Sequence, residues 1–495
     1  MKFYEVDDAL REAISAGDKP VRVKIEIASG GDFFTVPERD VIEANFYGLK
    51  EAAGGTSARG AVVIDNALLA LSNREVGSEV KVSFSLGEGL PWFQRFVFYV
   101  DENGIQDIRG AGRKRYVKIG LRDLSAKLRK TDETRDWTSP AVFTYSVACD
   151  KTRPERSLVH GIARRAGLSV NDIDCSTIPV TLPYVKLRKN IWAELSALAV
   201  ACRCHVECAP EKPLVFAHSP YQVEPQADDD CSCAFSGEDI FYLRKAARAD
   251  LYRNTVRLKI NLPVTLERRE IWRYGDSPVL YDEFTQAYYP FRYPLEREIE
   301  AGKYEARYRI KDSGGRERAV VFADEIDTRA EAENRLEYDG GAFSYSLYDT
   351  SSYCDRAILT LKKDSDGDLY KAAIFGRPIA LDLNRSCFMR DADGIAAYGT
   401  AAVNITGSYF SECGVGGESG TLPHYEDWVS RELAERSRYR REFTVKTHRA
   451  LFNARVGAKA RVAMRNEQLT GVISAFSLRY KRDSAFIAAF KMVEE

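Results

Sequence analysis

The stretch that decides the fold reads SLVHGIARRAGLSVNDIDC over residues 157–175 and NIWAELSALAVACRCHVECAPEKPLVFA over residues 190–217. Leu158, Val159, Ile162, Ala163 and Ala166 recur at helical spacing and Gly167 closes the run, which predicts a helix with one apolar face. Ile191, Leu195, Leu198 and Cys202 mark a second helix. Beyond it, Arg203 to Glu207 and Leu214 to Ala217 flank Ala209-Pro-Glu-Lys-Pro213, the grammar of a hairpin. Two helices and a hairpin make a small α+β unit, expected over residues 151–234 with Asp228, Asp229 and Asp230 as a solvated linker.

Upstream the period changes from helical to twofold. After a short helix around Asp7 to Ile14, Val21, Val23, Ile25 and Ile27 alternate with Arg22, Lys24 and Glu26, as a strand with one buried face requires. Val80 to Leu86, the apolar run Phe93 to Val100, and Val117 to Leu121 continue the pattern. Asp101-Glu-Asn-Gly104 is read as a turn that reverses the chain. A polar helix follows near Asp123 to Arg129, and residues 1–150 are expected to form an antiparallel barrel or sandwich.

Downstream, strands are predicted at Val256 to Ile260, at Tyr304 to Ile310 paired with Arg316 to Phe322, at Phe343 to Leu347, at Ile358 to Leu361 and at Leu369 to Phe375. Thr328 and Glu331 form a capping box. Tyr425, Trp428, Val429 and Leu433 mark a late helix, and two or three strands end the chain. The expected fold class is therefore mainly β with an inserted α+β unit. The remaining divisions are a second β-barrel over 235–411, with an insertion near 262–350, and a helix-plus-strands region over 412–495.

At 495 residues and ~150 per domain, several cores are available without metal or disulfide. Lys+Arg 72 against Asp+Glu 73 nearly cancel, which excludes a whole-surface electrostatic grip on nucleic acid. The 26 tyrosines suit half-buried pleated surface better than a helical bundle. Met1-Lys2-Phe3-Tyr4 runs into Asp7 and Asp8 with no apolar core of a signal peptide, and no segment has the length of a membrane span, so stable membrane insertion is not expected. The unevenly spaced cysteines fit reduced thiols in a protein made in the cytoplasm.

Three groups could carry chemistry. Cys202, Cys204, His205 and Cys208, with His218, Cys231 and Cys233 beyond, hold enough soft donors for tetrahedral zinc. Yet Cys202, Cys204, Val206 and Cys208 share one face of a period-two strand, so they are taken as core thiols and no metal is expected. Asp364, Asp366 and Asp368 with Gly367 begin like a calcium loop, but its twelfth position is Phe375, and a hairpin turn is preferred. Between Arg431 and Arg465 there are eleven Lys/Arg and three Glu, a local excess of +8 that could meet a polyanion or be a solvated face. No nucleophile elbow, zincin or phosphate-loop motif occurs, so no catalytic, cofactor or metal residue is assigned; only paired acids, which sequence cannot bring together, keep a wall-degrading enzyme open.

The order helix, "AGL", Trp-bearing helix and hairpin resembles the α+β domain of phage tail hub proteins. "FVFYVDENG" (96–104) and "RYVKIGLRDLSAKL" (115–128) are similar to that family's first tube-like barrel. "RNTVRLKI" (253–260), "DADGIAAYGTAAVNI" (391–405), "HYEDWVSRELAER" (424–436) and "VGAKARV" (456–462) follow in the family's order, while residues 268–294 have no counterpart. The resemblance implies a non-enzymatic hub of a phage tail tip or baseplate, assembled in the host cytoplasm and residing in the virion tail. It implies two tail-tube-like barrels per chain, hence a homotrimer that adapts a sixfold tube to a threefold spike. The implied partners are the tail tube or distal tail protein, a spike or tip protein and the tape measure protein, with DNA passing transiently through the lumen and no cofactor. In such a conduit Arg436, Arg438, Arg440, Arg441 and Lys459 are expected to face neighbouring subunits or solvent, because cations in the lumen would hold DNA. A tail-associated wall-degrading enzyme and a carbohydrate-binding β protein are the alternatives.

Overall fold

In a computed structural model of the chain, the described residues are 3–17, 19–51, 54–65, 76–109, 115–130, 142–154, 157–187, 190–218, 231–265, 269–274, 299–301, 308–311, 317–326, 336–339, 343–347, 359–363, 368–406, 424–438, 440–464 and 467–494. The fold is mainly β, built on large antiparallel sheets. Alternation does what the pattern predicts: in the strand Val21–Ser29, Val23, Ile25 and Ile27 are buried while Arg22, Lys24 and Glu26 are half-buried. The first helix, Asp8–Ala16, starts where the Asp7 side chain accepts the Ala9 N–H at 3.0 Å and ends at Gly17, whose φ of 72° only glycine takes without strain.

The main sheet runs in the order 240–247, 441–447, 487–494, 467–481, 41–50, 55–65, 115–122, 93–109, 79–86, 21–29, 32–36. Strands from both ends of the chain thus share one sheet, joined where Val41–Lys50 pairs antiparallel with Glu467–Lys481 from Ala475↔Leu49 to Lys481↔Glu43. In a flat sheet the strands bearing Phe46 and Phe84 would lie four spacings apart, about 19 Å. Their rings are 5.8 Å apart, so this part of the sheet rolls up around its own core. Phe84 also stacks on Phe452 at 5.2 Å and Phe96 on Phe476 at 6.3 Å, which places the C-terminal segment in the same core. Gly48 sits opposite Phe476 in register, where a Cβ would come within 2.3 Å of the ring.

Asp101–Gly104 does not reverse the chain. Strand Phe93–Arg109 runs through it, and the register against Arg115–Arg122 jumps from Val100↔Leu121 to Ile105↔Ile119. The turn-forming residues are absorbed as a bulge, because pairing with one neighbouring strand continues on both sides of it.

A second core belongs to the α+β unit. It gathers Leu158 and Ile162 from the helix Leu158–Arg164, Trp192 and Leu198 from the helix Ile191–Ala201, and Val206 and Phe216 from the hairpin. The hairpin is Cys204–Glu207 against Leu214–His218, and it joins the main sheet by parallel pairing of Val206 with Gly55 and Glu207 with Thr56. Within residues 235–411, Ile240–Ala247 joins the main sheet, whereas Thr255–Thr265 pairs with Asp368–Arg390 and Ala402–Thr406 in a separate sheet. Val256, Leu258 and, from the helix His424–Arg436, Trp428 and Val429 pack into the α+β core. The Trp428 indole donates to the Val200 carbonyl at 3.0 Å.

Tyr308–Lys311 pairs with Glu317–Ile326, as the predicted hairpin requires. Leu359–Lys363 and Asp368–Arg390 instead join different sheets, so the acidic stretch between them does not close a hairpin of those two strands. Residues 364–367, the Asp228–Asp230 linker, the Thr328–Glu331 cap, the 411/412 boundary and most of the insertion expected near 262–350 lie outside the described residues. No helix is long and apolar enough to cross a membrane, among the described residues.

Candidate functional site

The densest chemistry lies where four chain segments meet. Arg95 interrupts the apolar strand Phe93–Arg109, and its buried guanidinium donates to the carbonyls of Phe452 at 2.9 Å and Ala454 at 2.7 Å. It lies over the rings of Tyr4 at 4.5 Å and Phe96 at 4.3 Å, which supply negative π faces in place of water. Glu207, buried on the hairpin, accepts from Arg455 and lies 3.4 Å from His205 Nε2. Burial opposes ionisation of Glu207, but the hydrogen bond with His205 and the charge of Arg455 outweigh it and hold the carboxyl down to about 2. Burial and the Glu207 charge push the Tyr4 hydroxyl up to about 12, so it is neutral.

This cluster ties the N-terminal segment, the rolled sheet, the α+β hairpin and the C-terminal segment together. Most of its polar atoms point at each other and at backbone carbonyls, although Arg455 Nε has no partner among the described residues. The sequence carried two faint signals for it: a charged residue inside the Phe93 to Val100 run, and His205 and Glu207 alternating with the apolar positions Cys204 and Val206.

The basic stretch near the C-terminus is matched in part within the chain. Arg431 pairs with Asp427 at 3.0 Å, Arg436 with Glu432 at 2.5 Å and Arg441 with Glu467 at 2.8 Å, while Arg441 also meets Glu494. Arg449 reaches Asp239 at 3.6 Å. With Arg455 held by Glu207, five of the eleven Lys/Arg between Arg431 and Arg465 form ion pairs among the described residues, so the excess of +8 is matched in part. Arg438 is exposed and Arg440 half-buried, but Lys459 is buried within the chain.

The thiols divide. Cys202 caps the helix Ile191–Ala201 rather than opening the strand, and Cys204 lies in the α+β core, where burial pushes it up to about 12. Cys233 lies in the other core, pushed up by burial to about 11, so these sulfurs are protonated and dispersed. The His218 side chain lies outside the described residues. A group that sequence spacing did not suggest is Cys149, His160 and Cys175, all buried, with one donor atom from each within 4.8 Å of the others.

The two ends of the main sheet form a third feature. Strand Asp32–Val36 pairs only with Val21–Ser29, and Ile240–Ala247 only with Arg441–Thr447, among the described residues. Each edge exposes two neighbouring aromatics, Phe33 and Phe34 on one and Phe241 and Tyr242 on the other. Unpaired edge backbone beside exposed aromatic surface is a template for another chain.

No protein-family model matches the sequence, and no curated protein does. Among solved structures, the tail protein from Neisseria meningitidis MC58 aligns over 96% of this chain and 97% of its own at 8% identity and a TM-score of 0.49. The chain is similar to phage tail proteins. The 43 kDa tail protein of prophage MuSo2 from Shewanella oneidensis aligns over 95% and 98% at 9% identity and a TM-score of 0.47. Prophage tail protein gp18 from Listeria monocytogenes EGD-e aligns over 95% and 94% at 8% identity and 0.43. These are likenesses at single-digit identity, with TM-scores below 0.5.

Proposed function

We propose that the chain is a structural, non-enzymatic hub subunit of a phage-type tail tip or baseplate, assembled as a homotrimeric ring. The observation that carries this reading is the pair of unlike sheet edges. Two different edges on one molecule suit head-to-tail contact, which generates a ring when the rotation closes. In this reading the chain holds two tube-like units, one built from strands between Val21 and Arg122; the second, expected over 235–411, is drawn instead from Ile240–Ala247 with Arg441–Glu494, and the two are fused at the Val41–Lys50 and Glu467–Lys481 pair. Three chains then present six units to a sixfold tube. The α+β unit, with the sheet around Thr255–Thr265, is a peripheral body locked on by the Glu207 cluster.

Such a ring would contact the tail tube or distal tail protein on one side and a spike or tip protein on the other, with the tape measure protein and then DNA in its lumen. Its location would be the virion tail. Internal pairing of Arg436 and Arg441 supports a lumen that does not hold DNA. The test is copy number in assembled particles: three chains per tail in one ring support the reading, and six or one overturn it. Hydrolysis of purified peptidoglycan by the isolated chain would favour a wall-degrading enzyme instead.

A further inference from the structure

We propose that Cys149, His160 and Cys175 form a buried Cys2His site for one zinc ion, which pins three elements of the α+β unit together. Cys149 ends the strand Val142–Cys149, His160 lies in the helix Leu158–Arg164, and Cys175 ends the short strand Ile173–Cys175. All three residues are buried, and His160 Nδ1 has no hydrogen-bond partner among the described residues. The imidazole also hydrogen-bonds with Cys175, and a buried nitrogen left without a partner is costly in a way that a bond to an ion would relieve.

The elements that carry the donors are held before any ion arrives. The Ser157 hydroxyl accepts the Asp150 N–H at 2.7 Å and donates to the Asp150 carbonyl at 3.0 Å, fastening the residue after Cys149 to the residue before the helix. The Asp150 carboxylate accepts the N–H of Thr152 at 2.8 Å and of Arg153 at 3.2 Å, which shapes the loop between. On the other side, Ser169 and Asp172 cap each other and deliver Ile173–Cys175 into parallel pairing with Leu214, Val215 and Phe216. Three donors on three separately anchored elements are the preorganisation a metal site needs.

The donor set selects the ion. Two thiolates and an imidazole suit zinc rather than magnesium or calcium, and with three protein donors the fourth tetrahedral position is left to a small ligand such as water. Binding releases the two thiol protons to solvent as two Zn–S bonds form, leaving the imidazole neutral. The sequence assigned no metal residue to any part of the chain; the proposal departs from that expectation, on three donors that only folding brings together.

The test uses the full chain, purified under reducing conditions without chelator. One zinc per chain, with two sulfur neighbours at about 2.3 Å by X-ray absorption, is expected. Cys175→Ser and His160→Gln should each lower zinc content at least tenfold, while Cys233→Ser in the other core keeps it. Should those two variants fail to fold, cobalt in the intact chain is the second readout, with a thiolate-to-cobalt charge-transfer band expected. No stoichiometric zinc, a Cys149–Cys175 disulfide by mass, a sulfur count other than two, or loss of zinc on Cys204→Ser with retention on Cys175→Ser would each overturn the proposal.

Discussion

Two groups of charges in this chain use the same chemistry in opposite surroundings. Around Glu207, a carboxylate meets Arg455 and His205 at the meeting point of four segments, almost without water. Along the edge of the main sheet, Arg441 meets Glu467 and Glu494, and Lys245 also reaches Glu467, all in contact with solvent. The buried group cannot lose a member cheaply, because a charge left alone in low dielectric has nothing to replace its partner. The exposed group trades each ion pair for hydration, so it contributes charge matching and solubility more than stability. Local geometry looks alike in both; burial decides what each does.

The largest expected effect tests that contrast directly. Glu207→Ala leaves Arg455, whose side chain is 19% exposed, without its carboxylate and should destabilise the chain by at most about 3–5 kcal/mol, read as a shift in the denaturant midpoint. An unchanged midpoint would mean that the cluster is hydrated in solution and that the contrast fails.

Acid titration gives the second test, and its sign follows from the depressed carboxyl. With Glu207 at about 2 in the folded chain against 4.5 for the free group, its contribution is complete above about pH 4.5 and is lost as pH falls toward 2. The gap amounts to about 3 kcal/mol across that window. Asp123 works the other way. Burial raises it to about 6 against hydrogen bonds from Ser125 and Ala58, so its contribution is complete below about pH 3.8 and is lost as pH rises through 6. Glu207→Gln should remove the first slope and Asp123→Asn the second, which separates them by window in one series of melts.

A third test reaches the cluster through packing. Phe476 lies 5.1 Å from the Arg95 guanidinium and presses against Gly48 across the strand pair that joins the two ends of the chain. A methyl group there must displace the ring, so Gly48→Ala should cost about 1–3 kcal/mol. If the cost is steric and also uncovers Arg95, Gly48→Ala combined with Phe476→Leu should recover less than half of it.

How much of this was legible depended on distance along the chain. The helices near Leu158 and Ile191 and the hairpin after Cys202 declare themselves within a few residues, because periodicity and turn chemistry are local. The pairing of Val41–Lys50 with Glu467–Lys481 leaves no local trace, and the first of these strands was not among those read from the sequence. Asp101–Gly104 has turn chemistry, but tertiary pairing overrode it. The thiols follow the same rule: the compact Cys202 to Cys208 group attracted a zinc reading and disperses into core, while Cys149, His160 and Cys175 gather only when three elements fold together.

The smallest expected effect is the sharpest check on the comparison, because it predicts almost nothing where the structure shows close contact. Arg441 engages Glu494 with two guanidinium nitrogens and Glu467 with a third, and counting ion pairs would make it a stabilising residue. Its side chain is 47% exposed, however, and water competes for every one of those bonds. A double-mutant cycle of Arg441→Gln with Glu494→Gln should return a coupling of about 0.2–1 kcal/mol at low salt, shrinking further as ionic strength rises. A salt-insensitive coupling above about 2 kcal/mol would show this pair to be dry in solution. Because Arg441 lies in the strand next to Ile240–Ala247, an edge of the main sheet among the described residues, the natural cause would then be a neighbouring copy covering it, and the same cycle repeated on dilution below the association range should bring the value back down.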